Sequence, residues 1–429
     1  MYSGIVTPVV NIRPHPNADR LSLGTAAGHQ VVVSKSVEGG TVGVFFPCDG
    51  RLSSACLSNN NLYRHPELNN DKEVKSGFFD DNGRVRAQKF RGAISEGFWT
   101  ELSVLSWTGA DLSSMKTGDA VQKVNGHVVC EKYYTPATMR AMTKNGKASK
   151  KAPPKESFPT FREHFGVQKL RHVISNIPAG AELYFTEKCH GTSGRTGCLP
   201  VKKRTGLISR LLSKFFPPAP KYKHVSGTRR TVLDSERAID AGFYSGKTFR
   251  VDIHKQIESA GLHMGETVYY EVVGFDEKGG RIMGAHGITD KALKKRYGRR
   301  MVYSYGCDPS LNPYKVLVYR ITYTMLDGAV VEAPWHQVVN RCMSIGLSPV
   351  PELASPVIYD GDAEALTDTC ERLSRGDSSL DSGHIKEGVV VRAQYPGLDA
   401  HYKYKSFHFC ELEGIAKNND EYVDPEEVS

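Results

Sequence analysis

The stretch "TEKCHGTSGR" (Thr186–Arg195) places a lysine directly after an apolar run and directly before a turn of small residues. Lys188 in this stretch is either a solvated charge at the end of a strand, which is the common case, or a nucleophile. The spacing Lys-x-x-Gly occurs five times in the chain, about as often as chance predicts. The short pattern alone therefore does not decide between the two.

A nucleophilic lysine must be neutral when it attacks. With an ordinary pKa near 10.4, Lys188 would need about 4 to 5 kcal/mol to lose its proton at pH 7. The site must therefore supply positive charge, burial or a metal ion, together with acceptors for that metal. Two strands offer suitable carboxylates: Glu271 in "YYEVVGF" is a lone acid in an apolar strand, and Glu387 opens "EGVVVRA".

Two further lysines share one face of a strand. Lys403 and Lys405 in "HYKYK" are two residues apart, so both side chains project to the same side. Neighbouring lysines repel each other, and a phosphate opposite them would be a natural stabilising anion. Each of these features also has an ordinary explanation, because strand glutamates usually face solvent and paired lysines are common on exposed edges.

The elements that must position these residues fall into three regions. Residues 1–125 consist of short strands separated by Gly, Asn and Asp clusters, which predicts a small β-barrel. Residues 126–160 include a segment rich in Lys, Pro and Ala that predicts a basic linker. Strands and helices mix from about residue 161 to 413, and an acidic tail at 414–429 is expected to be disordered.

Composition limits the possible classes of protein. A chain of 429 residues suggests two or three domains, and the sequence has neither an 18-residue apolar run nor a secretory signal. Nine cysteines without a Cys-x-x-Cys pair argue against a disulfide framework and a structural zinc site, and indicate a cytosol-like compartment. The net charge of +9 is compatible with a polyanionic partner but does not establish one.

Two stretches of the first region resemble a known module. "RPHPNADRL" (Arg13–Leu21) and "KFRGAISEGFW" (Lys89–Trp99) resemble the opening and closing stretches of the OB-fold tRNA-binding modules attached to some aminoacyl-tRNA synthetases. The resemblance implies a barrel that binds nucleic acid through stacking and basic groups. The alternative is that the prolines and polar residues of the first stretch only build a turn.

The order of motifs in the second half resembles that of covalent nucleotidyltransferases, which include DNA ligases, RNA ligases and mRNA capping enzymes. Lysine-x-x-glycine, an arginine, two strand glutamates and a final Lys-x-Lys follow the order of motifs I to V between residues 161 and 413. His190 stands where DNA ligases and capping enzymes usually carry Asp, and the form Lys-x-His-Gly-Thr resembles RNA ligases. An OB module before the catalytic domain narrows the resemblance to the RNA ligases typified by enzymes from a radiation-resistant bacterium and an amoeboflagellate.

The resemblance implies a role for each matching residue. The fold would be α+β, with an OB barrel followed by an adenylyltransferase domain of antiparallel sheets with flanking helices. Lys188 would attack the α-phosphate of ATP and form a lysyl–AMP phosphoramidate. Glu271 and Glu387 would organise Mg²⁺ or Mn²⁺. The nucleotide-binding residues would be Glu187, Gly191, Arg229 (or Arg230 in its place), Glu271, Tyr319, Glu387, Lys403 and Lys405.

The function implied is ATP-dependent sealing of 3′-hydroxyl and 5′-phosphate RNA ends, mainly nicks in duplex RNA, through lysyl–AMP and an RNA adenylate. The alternatives are a ligase for DNA or mixed nicks, a capping guanylyltransferase, and a non-catalytic RNA-binding protein on a ligase scaffold. RNA is the expected partner, with no membrane and no obligate protein partner. The expected location is the cytoplasm, or the host cytoplasm if the chain is virus-encoded.

Two basic segments exceed the motif pattern. Apolar residues in Pro200–Lys223 follow helical spacing, and the segment contains no acid. Three interpretations are open: a helix packed on its own domain, an RNA contact, or a helix on a membrane surface. Arg281–Met301 adds a second basic cluster after Glu271. It either lines an RNA duplex or is a solvated face, which is the usual role of charge runs.

Overall fold

The computed structural model describes residues 2–48, 50–136, 138–140, 158–164, 166–201, 221–229, 232–233 and 249–413. Contacts between Cα atoms divide the chain into two compact units, formed mainly by Met1–Ala141 and Met142–Phe409. The acidic tail, most of the predicted linker and most of the basic segment 200–223 lie outside the described residues. Among the described helices, none is both long and apolar enough to cross a membrane.

The N-terminal unit is built mainly from short strands, as the turn-rich sequence predicts. In chain order its elements are β1 (Gly4–Pro14), β2 (Leu21–Ala26), β3 (His29–Ser34), β4 (Val42–Pro47), β5 (Gly50–Leu52), α1 (Ser54–Asn59), β6 (Gln88–Phe90), β7 (Ala93–Ser95), β8 (Gly97–Glu101), β9 (Ala120–Val121), β10 (Lys123–Val124), β11 (His127–Val128) and β12 (Cys130–Lys132), with 3₁₀ turns at Pro66–Leu68, Leu102–Thr108 and Leu112–Ser114.

The main sheet of this unit is nearly closed into a barrel. Its strands follow the order β3-β2-β1-β4-β8, and all the neighbouring pairs are antiparallel. The edge strand β3 is linked to the segment that enters β8 by two hydrogen bonds, from Val32 N to Oγ of Ser95 in β7 (3.1 Å) and from Glu96 N, just before β8, to Gln30 O (2.8 Å). This nearly closed sheet agrees with the small β-barrel expected from the strand pattern.

Ordered structure continues beyond the predicted end of the barrel region. β11 and β12 fall inside the range 126–160 that the sequence assigned to a linker. Val129 and Cys130 are completely buried in the apolar core of the N-terminal unit, and β12 pairs with β5. The structure therefore places ordered strands at the start of this range, and the assignment of the rest of 126–160 to a linker stays a prediction.

The C-terminal unit mixes helices with two larger sheets. Its elements are β13 (Gln168–Lys169), α2 (Leu170–Val173), a 3₁₀ turn (Ile174–Asn176), β14 (Glu182–Lys188), β15 (Thr192–Val201), β16 (Lys221–Thr228), β17 (Val232–Leu233), α3 (Phe249–Ser259), β18 (Glu266–Gly274), β19 (His286–Gly287), α4 (Lys291–Tyr297), β20 (Arg300–Met301), β21 (Tyr314–Thr324), β22 (Val330–Glu332), α5 (Trp335–Ser344), β23 (Ser348–Pro349), β24 (Glu352–Ile358), α6 (Ala363–Ser374), β25 (Gly388–Tyr395) and β26 (Leu398–Lys405), followed by α7 (Phe407–Leu412).

The two sheets carry the predicted motifs on separate strands. The first sheet has the order β13-β26-β25-β14-β24, and the second has the order β17-β16-β15-β18-β21-β22. In the first sheet, alternation buries Leu183, Phe185 and Val391 against α6, where Leu366 and Cys370 complete the core. The opposite face of the same strands carries polar side chains, and it is this face that the candidate site uses.

Candidate active site

A pocket in the C-terminal unit brings together most of the residues that the motifs predict. It has a volume of about 990 Å³, including solvent-open space, and it lies between side chains from both sheets. Of the predicted residues, those that line it are Glu187, Lys188, Gly191, Arg229, Glu271, Tyr319 and Lys403. The remaining two, Glu387 and Lys405, form an ionic cluster with Lys188.

Lys188 is the last residue of β14, and its ammonium group is paired with a buried carboxylate. Nζ of Lys188 lies 2.7 Å from Oε1 of Glu387, and Nζ of Lys405 lies 3.3 Å from the same oxygen. Burial alone would raise the pKa of Glu387, but the two ammonium groups outweigh it and hold that pKa below its usual range. Glu387 is therefore ionised, and it favours the protonated form of Lys188.

Strand register explains why these three charges meet. Lys188 pairs with Gly388 across β14 and β25, and Gly388 pairs with Lys405 across β25 and β26. A Cβ atom on Gly388 would lie 2.1 Å from the Tyr404 carbonyl oxygen, so only glycine allows this approach. Glu387 immediately precedes Gly388, and its carboxylate therefore falls between the two lysines.

The turn after the nucleophile candidate is held from two sides. A Cβ atom on Gly191 would lie 2.3 Å from the Val272 carbonyl oxygen, which makes glycine necessary at this position. The backbone N–H of His190 donates to the hydroxyl of Tyr305 at 2.5 Å, and Nδ1 of His190 lies 3.6 Å from Oε2 of Glu387. The imidazole therefore packs beside the ionic cluster instead of facing solvent.

Glu187 points away from Lys188, as alternation along β14 requires. It is buried, and its Oε2 accepts a hydrogen bond from the backbone N–H of Ser379 at 2.8 Å. Within the described residues, its Oε1 has no hydrogen-bond partner. A buried carboxylate oxygen of this kind is an acceptor that a ligand could satisfy.

The second sheet contributes Glu271 and Tyr319 to the pocket. Ser193 and Glu271 face each other across β15 and β18, and Ser193 Oγ donates to Glu271 Oε2 at 2.9 Å. Tyr269 in β18 pairs with Arg320 in β21, and Tyr270 pairs with Val318. Tyr319 therefore has no partner across the two strands and is the extra residue of a β-bulge. Bulges change the direction of a side chain, and this one accounts for the presence of Tyr319 in the pocket.

The side chains of Arg392, His401 and Trp335 were not predicted from the sequence, and the first two line the pocket. The guanidinium of Arg392 lies 4.0 Å from the centre of the Trp335 ring, and its Nη1 lies 3.2 Å from Nε2 of His401. Burial lowers the pKa of Arg392 to about 10, so it remains charged at neutral pH. Because burial also lowers the pKa of His401, its neutral imidazole can accept from the guanidinium.

Other pocket residues were also missed, and their signals in the sequence differ. Val390 and Arg392 could have been found, because alternation in "EGVVVRA" places both on one face of β25. His164 lies with its ring 4.8 Å from that of Tyr319, in an edge-to-face arrangement. Neither His164 nor Val350 carries a local pattern that would indicate the site.

The two carboxylates predicted to hold a divalent cation occupy different places. Glu271 lines the pocket from the second sheet, whereas Glu387 lies behind Lys188 in the first. Both are carboxylates, and hard divalent cations prefer oxygen ligands. The assignment of a shared metal to Glu271 and Glu387 remains a prediction. Arg230 and the apolar helical pattern between residues 207 and 215 lie outside the described residues.

In fold, the chain is similar to RNA ligases. Similar solved structures include several of the Naegleria gruberi RNA ligase. One, a lysine-to-alanine mutant with ATP and Mn, has a TM-score of 0.59 and 16% identity, covering 96% of this chain and 99% of that chain. A glutamate-to-alanine mutant with AMP and Mn has a TM-score of 0.59 and 16% identity over 97% of this chain and 100% of that chain.

A third structure of that ligase, with PPi, has a TM-score of 0.55 and 15% identity over 96% of this chain and 98% of that chain. No model of a protein family matches the sequence, and no curated protein is detectably similar to it. The likeness therefore rests on three-dimensional structure, and it establishes the fold.

Proposed function

We propose that this protein is an ATP-dependent RNA ligase that joins 3′-hydroxyl and 5′-phosphate ends, chiefly at nicks in duplex RNA, through a lysyl–AMP intermediate. The observation that carries the proposal is the cluster of Lys188, Glu387 and Lys405 beside a pocket lined by the other motif residues. The similarity in fold to an RNA ligase whose structures contain ATP, AMP and PPi supports the same assignment.

The pocket offers distinct surroundings for the base of ATP. The ring of Tyr319 lines the pocket and is the candidate for stacking on adenine, and Val390 presents an apolar surface from the other sheet. Burial raises the pKa of Tyr319 well above its usual value, so its phenol stays neutral. Glu187, which the motif resemblance places beside adenine, is among the residues that line the pocket.

The first chemical step forms a bond between Nζ of Lys188 and the α-phosphorus of ATP and breaks the bond to the leaving pyrophosphate. The attacking amine must first lose a proton. Because the pKa of Glu387 is held low, that carboxylate is a weak base and the proton passes on to solvent. Lys403 and Lys405 lie on the same face of β26, where they can stabilise charge on the α-phosphate oxygens.

In the second step the AMP passes from Lys188 to an RNA 5′-phosphate, which restores the lysine and gives a 5′–5′ pyrophosphate linkage. In the third step the 3′-hydroxyl attacks that phosphate, the phosphodiester forms and AMP leaves. Mg²⁺ or Mn²⁺, held by Glu271 and Glu387, would offset negative charge on the phosphates. Arg229, at the edge of the pocket, is the candidate contact for the ribose or phosphates.

We also propose that the N-terminal unit is an OB-fold domain that binds RNA. The strand order β3-β2-β1-β4-β8, with β9 also paired to β1 and with contacts between β8 and β3, supports this proposal, because an OB fold is a five-stranded, partly open Greek-key barrel. We propose an OB domain at 1–125 to which β11 and β12 are added, a linker in the remainder of 126–160, and a catalytic domain at 161–413.

The test is a sealing assay on a nicked RNA duplex with a labelled 5′-phosphate, supplied with ATP and manganese. The proposal predicts an adenylated RNA intermediate followed by a longer sealed strand. Equal sealing when the 3′-hydroxyl strand is DNA would favour a mixed-nick ligase, and dependence on GTP would favour a capping-type enzyme. RNA binding with neither adenylation nor sealing would favour a non-catalytic RNA-binding protein.

A further inference from the structure

Residues 281–301, here called the basic arm, belong to the connection between β18 and β21. Its stem is the pair of strands β19 and β20, which are antiparallel, and α4 lies between them. The arm contains seven basic residues and a single acid, Asp290. That acid caps α4, because its Oδ1 accepts hydrogen bonds from the backbone N–H groups of Ala292 and Leu293.

One face of α4 is fixed to its own domain. Arg296 and Tyr297 both donate hydrogen bonds to the carboxylate of Asp377, in the loop that leads to Glu387. Burial and Asp377 raise the pKa of Tyr297 to about 12, so its hydroxyl remains a donor at neutral pH. This face therefore holds the helix at a set position relative to the strand that carries Glu387.

The opposite face of α4 is a row of exposed lysines. At 100° per residue, Lys291, Lys294 and Lys295 lie on the side away from Arg296 and Tyr297. All three are exposed, as is Arg299 just beyond the helix. Within the described residues, Lys294, Lys295 and Arg299 have no carboxylate at ion-pair distance, so their charges face solvent.

The stem of the arm contacts the nucleophile region directly. The centre of the His190 ring lies 5.7 Å from that of the His286 ring. It lies 4.8 Å from the centre of the ring of Tyr303, which follows the stem. Nδ1 of His286 is also 2.8 Å from the hydroxyl of Tyr303. His190 is two residues after Lys188, so the lysine row belongs to a segment whose stem lies beside the ionic cluster.

We propose that the exposed face of the basic arm binds the phosphodiester backbone of the RNA strand whose end reacts at Lys188. The inference rests on the proposed function and adds a docking surface for the RNA, separate from the ATP pocket. A row of cations without acids suits a polyanion, and such contacts position a strand without reading its sequence.

The chemistry of the arm favours nucleic acid over a lipid surface. A helix that lies on a membrane inserts a broad apolar face. α4 has seven residues, and residues 281–301, all of which the structure describes, include no exposed large apolar side chain. Anionic vesicles are therefore a negative control for the proposal.

The experiment compares the full-length protein with the triple variant Lys294→Ala/Lys295→Ala/Arg299→Ala in two assays. The first measures lysyl–AMP formation from ATP without RNA, and it should match the parent. The second measures affinity for a nicked RNA duplex over a series of salt concentrations. Removing three phosphate contacts should weaken binding regardless of sequence and reduce the slope of log K against log salt concentration by about three.

A control variant removes the same charge from elsewhere on the C-terminal unit. Lys255→Ala/Arg372→Ala/Arg375→Ala changes exposed cations on α3 and at the end of α6. α3 packs behind β15, and α6 packs on the apolar face of the first sheet, away from the pocket. This control should bind RNA with the affinity and salt slope of the parent.

Several results would overturn the proposal. One is an unchanged salt slope in the arm variant, and another is an equal loss in the control, which would indicate a general charge effect. A third is a loss of lysyl–AMP formation in the arm variant as large as its loss of binding. Arm-dependent binding of anionic vesicles with unchanged RNA binding would assign the arm to membranes. If the parent itself forms no lysyl–AMP, the ligase proposal fails, while the RNA-binding assay still tests the arm.

Discussion

At the scale of single residues, the central feature is one buried carboxylate shared by two ammonium groups. Glu387 is 2% exposed, and a charge at that depth is stable only with close partners. Lys188 and Lys405 provide them at 2.7 Å and 3.3 Å. This arrangement fixes the position of the nucleophile candidate beside the pocket.

The first prediction concerns the rate of lysyl–AMP formation. Replacing the carboxylate in Glu387→Gln removes the charge that orders both lysines, and it removes a candidate ligand for the metal. We expect the initial rate to fall by about a hundredfold or more. The control is Glu371→Gln, which removes an exposed carboxylate paired with Arg375 and should react like the parent. A parent-like rate for Glu387→Gln would contradict the assignment.

The second prediction concerns the pH dependence of stability. Because the folded pKa of Glu387 is lower than its ordinary value, the native state binds fewer protons there than the unfolded state. Its contribution to stability is therefore fully present above the unfolded pKa and is lost as the pH falls through the folded pKa. In urea unfolding, the deficit of Glu387→Gln relative to the parent should be largest near neutral pH and shrink in acid. A deficit that grows in acid would contradict the proposed ion cluster.

At the scale of elements, register and close backbone approach position the site. Gly191 and Gly388 allow neighbouring strands to pass at distances that any side chain would block. The bulge in β21 turns Tyr319 into the pocket without disturbing the pairing of Glu271 with Leu317. Small shifts of these strands would therefore move groups that belong to different motifs.

The third prediction tests that close approach. In Gly191→Ala, the new Cβ would meet the Val272 carbonyl oxygen at 2.3 Å, and backbone atoms cannot move aside cheaply. We expect a loss of about 1–3 kcal/mol in the free energy of unfolding and a strong loss of lysyl–AMP formation. Gly284→Ala is the matched control, because no atom of the described part of the chain lies within 4 Å of its added Cβ. Equal behaviour of the two variants would show that the turn after Lys188 tolerates displacement.

Local patterns predicted the parts of the site that lie on single strands. The alternation in "HYKYK" correctly placed Lys403 and Lys405 on one face, and the apolar strand around Glu271 was recognised from its sequence. The bulge at Tyr319 could not be derived, since it depends on pairing between β18 and β21. His164 reaches Tyr319 from a distant segment, and Arg392 and His401 meet through strand pairing.

At the scale of the whole molecule, the chain forms two units with separate cores, and the pocket lies entirely within the second. The strand-rich first half and the mixed second half were evident from turn residues and apolar runs. The extent of the first unit was not evident from the sequence, because β11 and β12 add short strands after residue 125. Strands of two or three residues leave little periodicity to detect.

The fourth prediction concerns ligand binding by the intact chain. Lys188→Ala cannot form a covalent adduct, so it isolates reversible binding. ATP with manganese at a hundredfold excess over the dissociation constant should raise its free energy of unfolding by about 2.7 kcal/mol. The combination of Lys188→Ala with Tyr319→Ala should show a smaller increase at the same concentrations. No stabilisation of Lys188→Ala at any ATP concentration would contradict the assignment of the pocket.

Covalent labelling of the intact protein shows whether Lys188 accepts AMP from ATP. The parent, Lys188→Ala and Lys123→Ala, which removes the lysine of another Lys-x-x-Gly, are incubated with α-labelled ATP and manganese and then denatured. The account predicts a stable label of one AMP on the parent and on Lys123→Ala, mapped by peptide mass to Lys188, and none on Lys188→Ala. An unlabelled parent, whose intact mass shows that it was not already adenylylated, would contradict the account, as would a label that persists in Lys188→Ala.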